Sequence, residues 1–234
     1  TNTPGVLTET VADATMALLL AIARRTAEAD KYVRAGKWVI PWSPMMIVGS
    51  DVYGKTLGIY GLGRIGSRVA KKANVLDMKV LAYDPLLSED AIRAAGAEPV
   101  DLQTLLKESD VVSVNSPLNP ETRGMLSKDQ FKLMKKSAII VNTARGGLID
   151  EAALIEALKN REIAGAALDV LAREPPEKDN PLLTMSNVVL TPHIAGLTQE
   201  STARVSMQCA EQAMRTLRGE TPINIINKEV LKKL

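Results

Sequence analysis

The only histidine of the chain, His193, stands in Thr191-Pro192-His193-Ile194-Ala195-Gly196, just beyond an apolar run at 188–190. Two further charged residues hold the same place after apolar runs of their own. They are Arg145, in Asn142-Thr143-Ala144-Arg145-Gly146-Gly147, and Glu174, in Asp169-Val170-Leu171-Ala172-Arg173-Glu174-Pro175-Pro176. Together the three residue types suit one kind of chemistry. An imidazole titrates near neutral pH, so it can take the proton of a hydroxyl or return one to a ketone oxygen. A carboxylate on its far nitrogen would orient the ring and favour its charged form. A guanidinium can hold a substrate carboxylate with two hydrogen bonds of fixed geometry. That is the set needed to move a hydride to or from the carbinol carbon of a 2-hydroxy acid. Each residue taken alone also has a plainer reading, as a structural histidine, a loop charge and a surface cation.

The partner for such a hydride is indicated by Gly61-Leu62-Gly63-Arg64-Ile65-Gly66, a G-x-G-x-x-G between a short apolar run and a helical segment. In that context the pattern is the dinucleotide fingerprint. Gly61 allows the tight turn, Gly63 lets backbone approach a pyrophosphate, and Gly66 lets helix and strand pack closely. The helix N-terminus offers free N–H groups and a positive dipole end. The next apolar run ends in Tyr83-Asp84-Pro85, with Asp84 eighteen positions beyond Gly66 (84 less 66). A carboxylate there accepts from ribose hydroxyls and repels a 2′-phosphate, and no Arg or Lys immediately follows, so NAD is expected rather than NADP. An Asp before Pro is also an ordinary turn residue.

The elements that must position these groups follow from periodicity. Residues 8–35, rich in Ala and Leu, predict one long helix, with Thr10 and Asp13 at capping-box spacing and Gly36 as terminator. Residues 37–50 hold Trp38, Pro41, Trp42 and Pro44 and read as an irregular arm that packs on something, such as a second subunit. Beyond it, apolar runs at 56–60, 79–83, 111–115, 138–142, 164–170 and 188–190 have the length of buried parallel strands. Helical segments at 64–74, 88–95, 102–107, 128–134 and 151–159 lie between them. The alternation predicts an α/β fold with a doubly wound parallel sheet of Rossmann type. A last helix is expected at 198–218, ending at Gly219, with a tail over 222–234. The organisation expected is a helix and dimerisation arm (1–50), a dinucleotide-binding domain (51–196), and a C-terminal helix with tail (197–234).

Composition narrows the classes. The 234 residues are 46% hydrophobic and 24% charged, ordinary for a globular chain, and only 3% aromatic, so Ala, Val, Leu and Ile must build the core. A net charge of +2 with scattered basic residues gives no reason to expect nucleic acid or an anionic membrane. No apolar run approaches the roughly 20 residues of a membrane span. The single cysteine, Cys209, allows no internal disulfide and no cysteine-based metal site, and fits a cytoplasmic location. No other grouping of metal ligands is legible. Cys209 and the nine Met residues read as packing.

The chain resembles the D-isomer-specific 2-hydroxyacid dehydrogenases. The resemblance runs over residues 2–13, Gly54-Lys55-Thr56-Leu57-Gly58 into the glycine turn, and Ser116-Pro117-Leu118-Asn119-Pro120-Glu121-Thr122. It continues through 142–150, 169–176 and 191–196. It implies that the family's catalytic Arg, Glu and His fall on Arg145, Glu174 and His193. Its implied cofactor contacts are Gly61, Gly63, Arg64, Ile65 and Gly66 in the turn, Asp84 and Pro85 at the ribose, and Ser116, Pro117 and Thr122 after the next strand. Thr143, Ala144 and Arg145, then Asp169 near the nicotinamide amide, and finally His193, Ala195 and Gly196 complete the implied set. The resemblance also implies a homodimer through residues 8–50. Among its substrates, 3-phosphoglycerate comes first in this reading and glyoxylate or hydroxypyruvate second. The family further includes NAD-sensing corepressors, so a dimerisation or docking module is an alternative of another class.

Members carry a second, smaller substrate domain, built mostly from residues that would precede Thr1. The opening Thr1-Asn2-Thr3-Pro4-Gly5 reads as an internal loop. The expectation is therefore a piece of a longer protein, largely lacking the substrate domain, that binds NAD and by itself turns over weakly or not at all.

Overall fold

A computed structural model describes residues 1–229; the end of the expected C-terminal tail, 230–234, lies outside the described residues. Seven strands form one parallel sheet: β1 (Thr56–Tyr60), β2 (Lys79–Tyr83), β3 (Glu98–Pro99), β4 (Val111–Val114), β5 (Ile139–Asn142), β6 (Gly165–Leu168) and β7 (Val188–Leu190). Their spatial order is β3-β2-β1-β4-β5-β6-β7. The chain thus winds outward from β1 through β2 to β3, crosses back to β4, and winds the other way. The carboxyl ends of β1 and β4, paired in register from Leu57–Val111 to Tyr60–Val114, diverge into opposite crossovers. That is the topological switch point of a doubly wound sheet.

The strands are apolar throughout because both faces are covered. On one face, Leu57, Ile59, Val80, Ala82, Ile139 and Val141 pack against helices α1 (Thr8–Ala23) and α3 (Arg64–Val75). On the other, Val112, Val114, Ile140, Ala166 and Leu168 meet α5 (Leu102–Glu108), α6 (Lys128–Leu133) and α7 (Glu151–Lys159). Side chains that oxygen-cap the helices follow the expected chemistry: Ser88 accepts from Ala91 N at the start of α4 (Glu89–Ala94), Asp101 from Thr104 N, and Asp150 from Ala153 N. The last helix, α8 (Gln199–Leu217), begins at a Thr198 capping box and is followed by Gly219 at φ +74°.

Two expectations about the first helix are corrected. It is not continuous over 8–35: α1 stops at Ala23, and α2 (Thr26–Arg34) restarts after Arg25, a left-handed residue with φ +53°. The cause is a competitor for a backbone acceptor. Ala23 O receives the N–H of Ser50 at 2.7 Å as the arm returns, so it does not continue the helical ladder. Arg25 Nη1 donates to Val48 O at 3.2 Å and secures the same crossing. Thr10 and Asp13 do not form a capping box either. Leu7 precedes the helix with no side-chain cap, Thr10 Oγ1 accepts from Arg204 at 3.3 Å, and Asp13 pairs with Lys72 at 2.9 Å. The expected strand at 164–170 is confined to Gly165–Leu168, which leaves Asp169 and Val170 beyond its end. The short edge strand β3 was not foreseen, since two residues ending in Pro carry no period.

The amino ends of the strands are stitched by Asp110. Its carboxylate accepts the Thr56 N–H at the start of β1 (2.9 Å) and the Lys135 ammonium ahead of β5 (2.8 Å). Burial pushes this carboxyl group upward, but those two partners outweigh burial and hold it below the ordinary carboxylate range. A group whose folded value is depressed stabilises the fold above its unfolded value, and the contribution disappears as pH falls through the folded one. Asp110→Asn should therefore lower stability at pH 7 in urea unfolding. The gap to the parent should close below about pH 4; a gap independent of pH would exclude the ionic contribution.

Candidate active site

The glycine turn forms because two close approaches leave no room for side chains. Gly61 has φ +87°, and a Cβ there would lie 2.8 Å from Ser116 N on the neighbouring strand's extension. On Gly66 a Cβ would lie 2.2 Å from Gly61 O, so the first turn of α3 sits directly on the loop. Gly63 is different: nothing stands within 4 Å of its would-be Cβ, and no side chain caps the helix it precedes. The first turn of α3, with Arg64 and Ile65, therefore faces open space with its backbone donors, an arrangement that holds a pyrophosphate.

Asp84, at the end of β2, turns its carboxylate toward this loop. Oδ2 accepts from Leu62 N at 2.9 Å and Oδ1 from Leu86 N at 3.0 Å, while Pro85 beside it is exposed. The acid thus fixes the turn and the end of β2 together. On the other side of the switch point, Ser116 is buried and Pro117 begins a loop closed by Thr122, whose hydroxyl donates to Pro117 O at 2.7 Å. Tyr60 and Tyr83 pack with ring centroids 5.4 Å apart. Burial, then the neighbouring Tyr83 and the Asp84 charge, push the Tyr60 hydroxyl above its usual value, so it stays neutral.

Beyond β5 the backbone of 142–145 is braced by Asn142, 1% exposed: its Oδ1 accepts from Ala144 N and its Nδ2 donates to Arg145 O, both at 3.0 Å. Thr143 and Thr15 share a buried hydroxyl contact of 2.7 Å. The Thr15 hydroxyl hydrogen goes to Val11 O at 2.8 Å, so Thr143 is the donor of the pair. Helix α1 thereby reaches the loop of the candidate site. Neither Asn142 nor Thr15 was singled out from sequence. An Asn at the end of a strand and a Thr inside a helix signal nothing until the fold sets them beside the loop.

His193 and Glu174 meet as expected: Nδ1 lies 2.6 Å from Glu174 Oε2. The other carboxylate oxygen accepts from Leu171 N at 3.1 Å. With Nδ1 engaged, Nε2 is the nitrogen left for a substrate proton. His193 itself adopts φ +55°, a conformation that costs a non-glycine residue energy and must be imposed from outside. Asp169 imposes it. Its carboxylate, 2% exposed, accepts from the Thr191 hydroxyl (2.6 Å), Ile194 N (2.9 Å) and Ala195 N (2.8 Å), while Asp169 O accepts His193 N at 2.9 Å. These bonds clamp the histidine loop from both sides, and Gly196 follows with Leu7 packed over it.

The expected convergence of three charged side chains is met by two. Arg145 follows β5 at the same edge of the sheet, but its side chain is exposed and its Nη1 donates to Ala144 O at 2.6 Å rather than to Glu174. Among the described residues, no group of three or more His, Cys, Asp or Glu side chains is placed to hold a metal.

A family model, the NAD binding domain of the D-isomer specific 2-hydroxyacid dehydrogenases, matches residues 16–195. The chain belongs to this family. A glyoxylate reductase from Korarchaeum cryptofilum is 52% identical over 232 residues, covering 99% of this chain and 70% of the relative. A D-3-phosphoglycerate dehydrogenase from Archaeoglobus fulgidus is 46% identical over 226 residues, covering 97% of this chain and 42% of the relative. The crystal structure of a D-isomer specific 2-hydroxyacid dehydrogenase from Lactobacillus delbrueckii ssp. bulgaricus, in its NAD-complexed form, superimposes with a TM-score of 0.84 at 34% identity. It covers 97% of this chain and 72% of that one. This D-2-hydroxyacid dehydrogenase is an NAD-dependent oxidoreductase of small hydroxy and keto acids. The residues present fit NAD: the open cradle at Gly63 suits a pyrophosphate and the carboxylate of Asp84 suits an unphosphorylated ribose.

Asp169→Asn keeps the size of the side chain but offers one acceptor oxygen to three donors. Leaving buried donors unpaired costs about 1–3 kcal/mol, so chemical denaturation should register a loss of that order in the dehydrogenase. Protease sensitivity should rise at 191–196, and equal stability of the two proteins would remove the clamp.

Proposed function

We propose that the site reduces glyoxylate, ahead of larger or phosphorylated 2-keto acids, with His193 as proton donor, Glu174 as the group that orients it, and Arg145 as the anchor for the substrate carboxylate. The observation that carries the reading is the 2.6 Å contact between His193 Nδ1 and Glu174, which fixes the ring and leaves Nε2 for the ketone oxygen. Bound NADH supplies the hydride. Arg145 is exposed and keeps further N–H donors beyond the one on Ala144 O, so it can turn to a substrate carboxylate. The dinucleotide is assigned to Gly61, Gly63, Arg64, Ile65 and Gly66 at the pyrophosphate, with Asp84 and Pro85 at the adenine-side ribose. Ser116, Pro117, Thr122, Thr143, Ala144, Ala195 and Gly196 line the rest of its course. Asp169 holds the loop beside the nicotinamide rather than offering both oxygens to it, since three protein donors already occupy its carboxylate.

The choice of glyoxylate revises the order in which the sequence alone placed the substrates. Support for it comes from the relatives: the protein matched at 52% identity over 70% of its length is named a glyoxylate reductase. The phosphoglycerate dehydrogenase is matched at 46% over 42% of its length. Steady-state assays of the full-length protein with glyoxylate, hydroxypyruvate and phosphohydroxypyruvate should give the highest kcat/KM for glyoxylate. His193→Gln should lower kcat by about 10²–10⁴-fold, the usual contribution of a general acid. Preference for the phosphorylated acid would overturn the substrate, and unchanged turnover of the variant would overturn the dyad. No turnover of the full-length protein with any of the three would favour the corepressor reading.

We further propose a homodimer through residues 8–50. Trp42 is 78% exposed and Trp38 is 56% exposed, and Val39 and Met45 beside them are 81% exposed, an apolar patch that a second copy would cover. Light scattering at micromolar concentration should report twice the chain mass. Because aromatic anchors dominate interfaces, Trp42→Ala should weaken association by about tenfold or more; a monomer at every concentration would refute the assembly.

A further inference from the structure

We infer that Glu151 and Asn180 are positioning residues, whose joined hydrogen bonds hold the loop that delivers Glu174 to His193; the inference rests on the dyad proposed above. Residues 172–175 are exposed, so packing against the core does not fix them. The Leu171 N–H bond to Glu174 Oε1 is internal to the loop and cannot anchor it to the sheet. The anchor comes from Glu151. Its Oε2 accepts the N–H of Ala172, two residues before Glu174, at 2.9 Å, and its Oε1 accepts from Asn180 Nδ2 at 2.8 Å. Asn180 in turn accepts from Leu182 N at 3.0 Å through its Oδ1, which starts the turn that leads toward β7. One carboxylate therefore grips the loop where it leaves β6 and again where it approaches β7.

Glu151 has a plainer explanation, which the geometry rejects. An acid in the first turn of a helix is favourable for the helix dipole alone. In α7, however, the cap is already made by Asp150, which accepts from Ala153 N at 3.1 Å, and both oxygens of Glu151 are engaged across the loop instead. The same bonds tie Glu174 to the segment that carries Arg145. Gly146 presses so closely on the loop that a Cβ on it would lie 1.9 Å from Leu171 O and 2.5 Å from Ala172 N. Glu151 and this close packing at Gly146 together set the spacing between the strand-end loop with the guanidinium and the one with the carboxylate.

The test uses steady-state kinetics of the full-length protein with glyoxylate and NADH, together with thermal melting. A displacement of about 1 Å at a reacting group can cost about 10²-fold, and partial release of one loop should cost less. Glu151→Ala is expected to lower kcat about tenfold while the KM for NADH changes by less than about twofold. Glu151→Gln keeps the shape but has one acceptor oxygen, so it cannot receive both Ala172 N–H and the Asn180 amide. Combined with Asn180→Asp, it regains the bridge with reversed polarity: the glutamine amide donates to the introduced carboxylate, and the glutamine carbonyl receives the Ala172 N–H. The double variant should recover at least half of the parental kcat, well above Glu151→Gln alone. Should Glu151→Ala fail to fold, this isosteric pair decides. Parental kcat in Glu151→Ala, a lowered melting temperature with unchanged kcat, or a double variant no better than the single one would each overturn the inference. Undiminished turnover in His193→Gln would instead remove the dyad itself, which separates failure of the underlying reading from failure of this one.

Discussion

The buried carboxylate of Asp169 sets the conditions for the rest of the site. A carboxylate at 2% exposure is tolerable only if donors replace the water it has lost, and here Thr191, Ile194 and Ala195 provide them. Their convergence on two oxygens forces the chain between them into a tight reversal, and His193 occupies its left-handed corner. The strain at one residue is thus held in place by several bonds to a rigid neighbour, the usual arrangement where a side chain must point in one direction for function. If the loop relaxed, the imidazole would leave Glu174, and neither proton position nor ring tautomer would be defined.

The sheet explains why such a loop can be rigid at all. Strands β4, β5 and β6 are buried along their whole length, so their ends are fixed points. The residues with a chemical assignment lie beyond the carboxyl ends of these and the neighbouring strands β1, β2 and β7, where the backbone has left the ladder and needs new partners. Asn142, Asp169 and Asp84 supply those partners from their own strand ends, and Thr122 and Glu151 do so across loops. The opposite edge of the sheet carries a different kind of acid. Asp110 joins the starts of β1, β4 and β5 to a lysine and a backbone amide, which contributes to stability and keeps its charge paired near neutral pH. The two edges use the same residue type for stability at one end and for directing function at the other.

Much of this was legible in the chain before the fold was known, for physical reasons. Strands buried on two faces must be apolar runs of limited length, and a turn that admits no Cβ at Gly61 and Gly66 must use glycine, so both leave marks in local sequence. The dyad was legible because a lone imidazole and a carboxylate both followed apolar runs. The break at Arg25 was not. It depends on Ser50, twenty-five positions further on, taking the carbonyl of Ala23, and helix propensity is blind to a competitor so distant. Thr15, Asn142 and Glu151 were illegible for the same reason. Their roles consist of single hydrogen bonds to backbone or side-chain groups brought near only by the crossover order of the sheet.

Arg145 shows where a local reading stops short of a geometry. Its backbone is as firmly held as that of the dyad, since Asn142 bonds to both Ala144 N and Arg145 O. Its guanidinium is not so held, and bends to the adjacent Ala144 carbonyl. This division follows from the two kinds of charge. Glu174 and His193 complement each other inside the protein, so their contact forms with the fold. A guanidinium matched to a substrate carboxylate gains its full set of parallel hydrogen bonds only with that carboxylate, and burying it unpaired against the dyad would cost several kcal/mol in lost hydration. Exposure of the side chain over a fixed backbone meets both demands. The loop confines where the cation can reach, and a single bond to a neutral carbonyl can be exchanged for a paired one to an anionic carboxylate.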